Sequence, residues 1–290
     1  MSVITDKKME PDQKDIYSIV KKHVKETEKR AGYPYSLIES LGLKPREVIS
    51  LVGAGGKTTL MFRLARELFL NGKKVVTSTT TKILEPSPGE TAFLYLHSDE
   101  EELEQFVSVH LDQYGHMTIA RERLGSGKLK GISSSLVSDL WSRQRIDYIL
   151  IEADGAAGRP VKAPREGEPV IPVDTTLVVA VLGVDGVGGE LNEENVFQPQ
   201  RVSIMTGVPI GQRITDEALA ILMTDPEGIF RGTPPTSRII AFINKVDIPN
   251  GMVTGKRIAQ KIFERKHPQI ERVVLGQLRS EPPVAEVIFS

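Results

Sequence analysis

The chain has 290 residues, 40% of them hydrophobic and 26% charged, and a net charge of −1 from 37 Lys+Arg against 38 Asp+Glu. That length allows one large α/β domain or two smaller ones, and the even charge balance excludes a whole-chain electrostatic footprint for nucleic acid or an anionic membrane. Without cysteine the chain has no disulfide, thiolate metal site or cysteine nucleophile, which suits a reducing compartment.

The N-terminal stretch lacks an apolar core and a small-residue cleavage site, so it does not read as a secretory signal. No window approaches a membrane span. A cytoplasmic protein is expected, with neither nucleic acid nor membrane as partner. From Asp12, the residues Ile16, Ile19, Val20 and Val24 recur at helical spacing and Gly32 supplies a stop, which predicts an amphipathic N-terminal helix. A short helix through Leu37, Ile38 and Leu41 follows, then a buried strand over Val48 to Val52. Leu60, Met61, Leu64 and Leu68 fall on one face of the next helix, which Asn71-Gly72 ends.

Further strands are expected at "KVVTSTT", "AFLYLHS", "HMTIARE", "IDYILIEA", "TLVVAVLG", "RIIAFIN" and "RVVLGQL", with helices at "DEEELEQFVSVHL" and "SSSLVSDLWSRQR". Short apolar runs alternating with amphipathic helices predict an α/β fold, a mainly parallel sheet with helices on both faces. The expected organisation is an N-terminal helical extension over 1–35 and one phosphate-loop domain over 36–290. Pro/Gly-rich inserts are expected around 154–172 and 185–211.

The strand-to-helix junction reads Gly53-Ala54-Gly55-Gly56-Lys57-Thr58-Thr59. In the GxxxxGK[ST] pattern the first glycine would fall on Leu51, so the consensus is incomplete, but the chemistry is present. Glycines let backbone N–H groups converge on phosphate oxygens, Lys57 would bridge the terminal phosphates, and Thr58 would hold Mg²⁺. The loop resembles the KGGxGKT variant of the dimerising ATPase and GTPase class, with Val52 in place of its first lysine. A homo-oligomer is a further option that the sequence does not decide. A dinucleotide GxGxxG reading fails, because Thr58 takes the third glycine's place and "TSTTTK" stands where the ribose-binding acid should be.

Two acids, Glu152 and Asp154, end the strand in "IDYILIEADG". Taken alone, such acids are usually the first solvated residues after a strand. After a phosphate loop they become candidates for Mg²⁺ binding and for orienting an attacking water, so Lys57, Glu152 and Asp154 form the catalytic set and Thr58, Glu152 and Asp154 the metal set. The DxxG pattern is not met, since Ala157 stands at its last position.

"RIIAFINKVD" delivers Asn244, Lys245 and Asp247 in the spacing of the NKxD guanine motif, against the simpler reading of a polar turn. The Asp247 carboxylate would accept from guanine N1–H and the 2-amino group, donors that adenine lacks on that edge. GTP is therefore expected over ATP. No second guanine loop is readable after "RVVLGQL". In "TSTTTK", a threonine hydroxyl and Lys82 are further candidates near the phosphates, equally explained by β-propensity. The five histidines show no metal spacing.

The stretches "SLIESLGLKPREVISLVGAGGKTTLMFRLARELFLNGKKVVTSTTTKI", "LIEADGAAGRPVKAPREGEPVIP" and "INKVD" resemble the selenium-dependent molybdenum hydroxylase accessory proteins of the YqeC type, over roughly Ser36 to Leu278. The resemblance implies a phosphate-loop nucleotide-binding protein tied to maturation of a molybdenum hydroxylase, with a maturation partner. One departure is Phe197-Gln198, where many members have His-Arg. Three activities follow as expectations: slow Mg²⁺-dependent hydrolysis of a nucleoside triphosphate, a nucleotide-gated partner contact without turnover, or a kinase or nucleotidyl transferase. In the last, the acceptor would meet Arg159, Lys162 and Arg165, against the equally weighted reading of ordinary solvated loop charges.

Overall fold

Strand β1 (Glu47–Gly53) is buried along its whole length, and its side chains serve both faces of a sheet. Val48 and Val52 join one apolar cluster, Ile49 and Leu51 the other. Burial on both faces is what a continuous apolar run in a parallel sheet requires. We describe a computed structural model covering residues 36–290 other than 92 and 144. The helix expected from Asp12 lies outside the described residues.

The remaining strands of this sheet are β2 (Val75–Thr79), β4 (Leu94–Leu96), β5 (His116–Ala120), β8 (Tyr148–Glu152), β10 (Leu177–Gly183), β12 (Arg238–Asn244), β13 (Ile270–Gly276) and β14 (Val284–Phe289). Their order is β14-β13-β12-β10-β1-β8-β2-β5-β4. Every neighbouring pair is parallel except β13 with β14. Helices α1 (Leu37–Ser40) and α2 (Lys57–Leu70) pack on one face. Helices α3 (Glu100–Tyr114), α4 (Ser134–Ser142), α6 (Asp216–Leu222) and α7 (Gly251–Glu264) pack on the other, and α5 (Pro199–Thr206) joins that side through Val202. The architecture is the expected α/β fold, a mainly parallel sheet with helices on both faces.

Local signals account for the element that matters most. Leu60, Leu64 and Leu68 bury one stripe of α2 against the sheet. The helix ends where Asn71 caps it and Gly72 turns to φ 77°, a conformation that favours glycine. Truncating Leu64 to Ala would cost about 2–5 kcal/mol, the range for a buried leucine.

Two smaller sheets had no readable signal. Strands β3 (Lys82–Leu84), β7 (Lys128–Lys130) and β6 (Glu122–Arg123) form one, antiparallel throughout. Strands β9 (Val161–Lys162) and β11 (Val196–Phe197) form the other, pairing in parallel so that Lys162 sits opposite Phe197. Strands of two or three residues are too short for alternation to show. The second small sheet joins the two Pro/Gly-rich inserts to one another. Among the described residues no helix is long and apolar enough to cross a membrane.

Candidate functional site

Parallel pairing brings the chemistry together. Strand β8 lies beside β1, with Leu51 opposite Glu152, so the acids that leave β8 arrive under the turn that leaves β1. In that turn Gly55 and Gly56 adopt φ 79° and 142°. A Cβ on Gly55 would lie 2.5 Å from the Gly183 backbone nitrogen, and one on Gly56 would lie 2.4 Å from Asn244 Nδ2. Only glycine satisfies both the dihedrals and the space. Ala54 is buried beneath the turn, Lys57 opens α2, and Thr58 and Thr59 are partly exposed in its first turn.

Lys57 is 5% exposed, and its ammonium group folds back into the loop. It donates to the Gly53 carbonyl at 2.7 Å and faces Asp154 Oδ1 at 3.2 Å and Glu152 Oε1 at 3.6 Å. Burial by itself would lower its pKa, but the carboxylates of Asp154 and Glu152 outweigh that, and the ammonium is held above its usual range. For Glu152 the balance tips the other way. Burial raises its pKa, and the Lys57 charge and the Thr58 hydroxyl offset only part of the rise.

The two acids have different partners. Glu152 Oε2 accepts from the Thr58 hydroxyl at 2.7 Å, which pairs one of the two carboxylates of the expected metal set with its hydroxyl. Asp154 is fully buried; its Oδ2 accepts from the Gly53 N–H at 3.0 Å and faces the Lys162 ammonium at 2.8 Å. Asp154 Oδ1 has no hydrogen-bond partner among the described residues and faces only Lys57.

These residues fit a magnesium–triphosphate group. Among the described residues no cluster of three or more His, Asp or Glu forms a self-sufficient metal cage. Mg²⁺ does not need one, because it is commonly held through one or two carboxylates and substrate phosphates. Thr58 and Glu152 would supply the protein's share, and the glycine turn packs so closely on Val181, Gly183 and Asn244 that a Cβ at Gly53, Gly55 or Gly56 would collide with them.

The base-side motif lies at the end of β12. Asn244 is spent on structure: its Nδ2 donates to the Gly55 carbonyl at 2.8 Å and its Oδ1 accepts from the Leu278 N–H at 3.2 Å. Lys245 sits at φ 66° and pairs with Asp185, which follows β10. Asp247 is exposed, and its Oδ2 accepts from the Ser280 hydroxyl at 2.8 Å. The turn after β13 therefore does reach the base motif, a contact that no residue pattern after "RVVLGQL" announces. Arg63 of α2 secures that turn by donating to the carbonyls of Leu278 at 2.6 Å and Ser280 at 3.1 Å and by pairing with Glu281.

Other candidates turn out to be occupied. The Thr79 hydroxyl donates to the Glu152 carbonyl at 2.6 Å and accepts from the Thr81 N–H at 3.0 Å, while Lys82 opens the small strand β3 with its side chain exposed. Lys162, expected as an acceptor-binding cation, is fully buried and bound to Asp154, Glu168 and the Gly155 carbonyl. Arg165 pairs with Glu168 at 2.8 Å, and Arg159 donates to the carbonyls of Glu193 and Ala157. Phe197, at the departure from the His-Arg pair, lays its ring against Lys162 and Arg165, with centroid distances of 5.3 and 5.5 Å. His116 packs in the core against the Thr77 hydroxyl.

Residues 49–200 match the family model described as "YqeC protein". The Escherichia coli (strain K12) protein "Uncharacterized protein YqeC" is 31% identical over 253 residues, covering 87% of this chain and 96% of that one. Two crystal structures of FtsY from Mycoplasma mycoides align at 14% and 13% identity and TM-scores of 0.35 and 0.36. They cover 86% and 80% of this chain, which spans 66% and 61% of theirs. On its sequence match over most of its length, the chain belongs to the YqeC family.

Proposed function

We propose that this protein binds Mg²⁺ and a nucleoside triphosphate, GTP in preference to ATP, and hydrolyses it slowly to drive a conformational switch in maturation of a selenium-dependent molybdenum hydroxylase. The observation that carries the nucleotide reading is the joining of two half-sites through one side chain. Asn244, first residue of the base motif, bonds the Gly55 carbonyl of the glycine turn, so a phosphate cradle and a guanine-type carboxylate belong to one frame. Gly53 to Thr59 would cradle the phosphates, with Lys57 as their cation. Thr58 and Glu152 would hold the metal, and Asp247 would read the base. Bound Mg²⁺ supplies neutralisation of the phosphate charge. Hydrolysis assigns Lys57, Glu152 and Asp154 the catalytic work, with Asp154 acting from beneath the loop.

One observation favours a second reading, a nucleotide-gated contact without turnover. Asp154 is fully buried and already committed to Gly53, Lys57 and Lys162, which leaves it poorly placed to order a water. A kinase or transferase is supported less, because Lys162 is spent inside the protein. Titration with GTP, ATP and NAD, with and without Mg²⁺, tests the binding reading, which fails if neither triphosphate binds. Multiple-turnover phosphate release that Lys57→Ala abolishes supports hydrolysis; stoichiometric binding without release supports the gate. The pathway rests on the family likeness, and unchanged hydroxylase activity in cells carrying only Lys57→Ala would count against it.

A further inference from the structure

Two buried cations share Asp154, one on each oxygen. Lys57 faces Oδ1 at 3.2 Å, while Lys162 faces Oδ2 at 2.8 Å. Lys162 has no exposed surface, and the three donors of its ammonium group are taken by Asp154, by the Gly155 carbonyl at 2.7 Å and by Glu168 Oε2 at 3.4 Å. It cannot reach an external ligand. A buried ion pair is weak evidence for stability, since an apolar residue of similar volume often replaces it at no loss. A methionine would fill the same space here, so the feature that needs explaining is the charge.

The two lysines differ in what else they serve. Lys57 belongs to the glycine turn and, on the triphosphate reading above, must leave Asp154 to meet phosphate. Its departure would strand a fully buried carboxylate, a costly state. Oδ2 would not be disturbed, because Lys162 and the Gly53 N–H hold it independently of Lys57. Lys162 in turn lies on β9, against the Phe197 ring of β11 and within reach of Glu168. Glu168 is pinned by Arg165, and its carbonyl accepts from Arg231 at 2.6 Å.

We infer that Lys162 is a positioning residue: it holds Asp154 as a permanent counter-charge so that Lys57 is free to turn to the phosphates, and it couples that event to the β9–β11 insert. This rests on the triphosphate reading and adds to it the route by which occupancy is felt away from the loop. When Lys57 leaves, Asp154 draws harder on Lys162, which loosens Lys162 from Glu168 and so alters the segment 155–168.

The test is a four-protein cycle of wild type, Lys162→Met, Asp154→Asn and the double variant, titrated with N-methylanthraniloyl-GTP at constant Mg²⁺ and followed by thermal unfolding. In the wild-type background Lys162→Met should weaken binding roughly tenfold or more, because Lys57 becomes the sole cation on Asp154. In the Asp154→Asn background, with no carboxylate to neutralise, the same change should alter binding by less than about threefold. Hydrogen exchange over 155–168 should respond to nucleotide in the wild type and not in the double variant. Equal losses in both backgrounds, or wild-type affinity in Lys162→Met, would overturn the inference. Should Lys162→Met not fold, a clear loss in the double variant relative to Asp154→Asn overturns it alone. A wild type that binds neither GTP nor ATP removes the triphosphate reading at the first titration, and this inference falls with it.

Discussion

The phosphate end and the base end of the candidate site are built on opposite plans. At the phosphate end the charged groups are inside: Lys57 is 5% exposed, Glu152 6% and Asp154 0%, and each already has partners within the protein. At the base end the group proposed to read the base, Asp247, is exposed and tied by one hydroxyl. Electrostatic interactions gain strength as water is excluded, so the buried end is suited to supplying affinity. The open end has one carboxylate with which to discriminate. Inorganic tripolyphosphate engages only the first plan and the GTP-to-ATP ratio reports only the second, which lets each substitution be assigned to an end.

The largest effect should come from Gly56→Ala, which attacks the joint. The added Cβ meets Asn244 Nδ2 at 2.4 Å in a backbone held at φ 142°. Left-handed strain of about 1–3 kcal/mol adds to an overpacking cost of about 1–3 kcal/mol. Asn244 also bonds the Leu278 N–H, so both ends should fail together: tripolyphosphate affinity and base preference are lost in parallel. If tripolyphosphate binding falls while the GTP-to-ATP ratio holds, the ends are independent. Lys57→Ala should come next, removing a charge-assisted contact worth about 1.5–3 kcal/mol, roughly ten- to a hundredfold. It should act on GTP, ATP and tripolyphosphate alike. Asp154 keeps Lys162 in that variant, so thermal unfolding should show less than the roughly 3–5 kcal/mol of a broken buried pair.

How much of this was readable in the sequence follows the same division. The turn from Gly53 to Thr58 is encoded locally, by glycines between an apolar run and a 3.6-period helix. Strands β8 and β12 deliver Glu152 and Asn244 at their ends for the same reason. What the sequence hid depends on contacts between distant segments. "RPVKAPREGEP" looks like a solvated basic loop because nothing local marks Lys162 as buried; that comes from β9 pairing with β11, Lys162 opposite Phe197, and from Asp154 lying beneath it. Ser280 was missed for a related reason. A single serine in "LRSEPP" has no pattern, and only the parallel placement of β12 beside β13 brings it to Asp247. Strand β14 escaped because its "VAEVIF" follows two prolines and does not alternate apolar with polar residues.

Asp247→Asn should leave tripolyphosphate affinity unchanged and alter the base ratio. The carboxylate has two oxygens and about four acceptor positions, of which Ser280 takes one. Replacing one oxygen by an NH₂ donor opposes the guanine 2-amino group and suits the carbonyl that xanthine carries there. GTP binding should weaken by about 1.5–3 kcal/mol, the range for a hydrogen bond to a charged group, with a gain for xanthosine triphosphate in competition. Equal wild-type affinity for ATP and GTP, together with an unmoved ratio in the variant, would reduce "NKVD" to a polar turn.

The smallest effect, and the sharpest separation of the two plans, is expected from Ser280→Ala. Ser280 does not belong to the phosphate end. Its hydroxyl reaches Asp247 at 2.8 Å, and its carbonyl is held at 3.1 Å by Arg63 of α2, so the turn stays in place when the hydroxyl is removed. Only the orientation of an exposed carboxylate changes. A neutral donor bonding an acceptor that water can also reach is worth about 0.5–1.5 kcal/mol, so the GTP preference should fall by a few-fold to roughly tenfold. Tripolyphosphate affinity and thermal unfolding should match the wild type. Ser280→Thr, which keeps the hydroxyl, should restore the ratio. A tripolyphosphate loss in Ser280→Ala would mean that Arg63 carries strain from the base turn into α2, and the base end would then contribute to affinity as well as to discrimination.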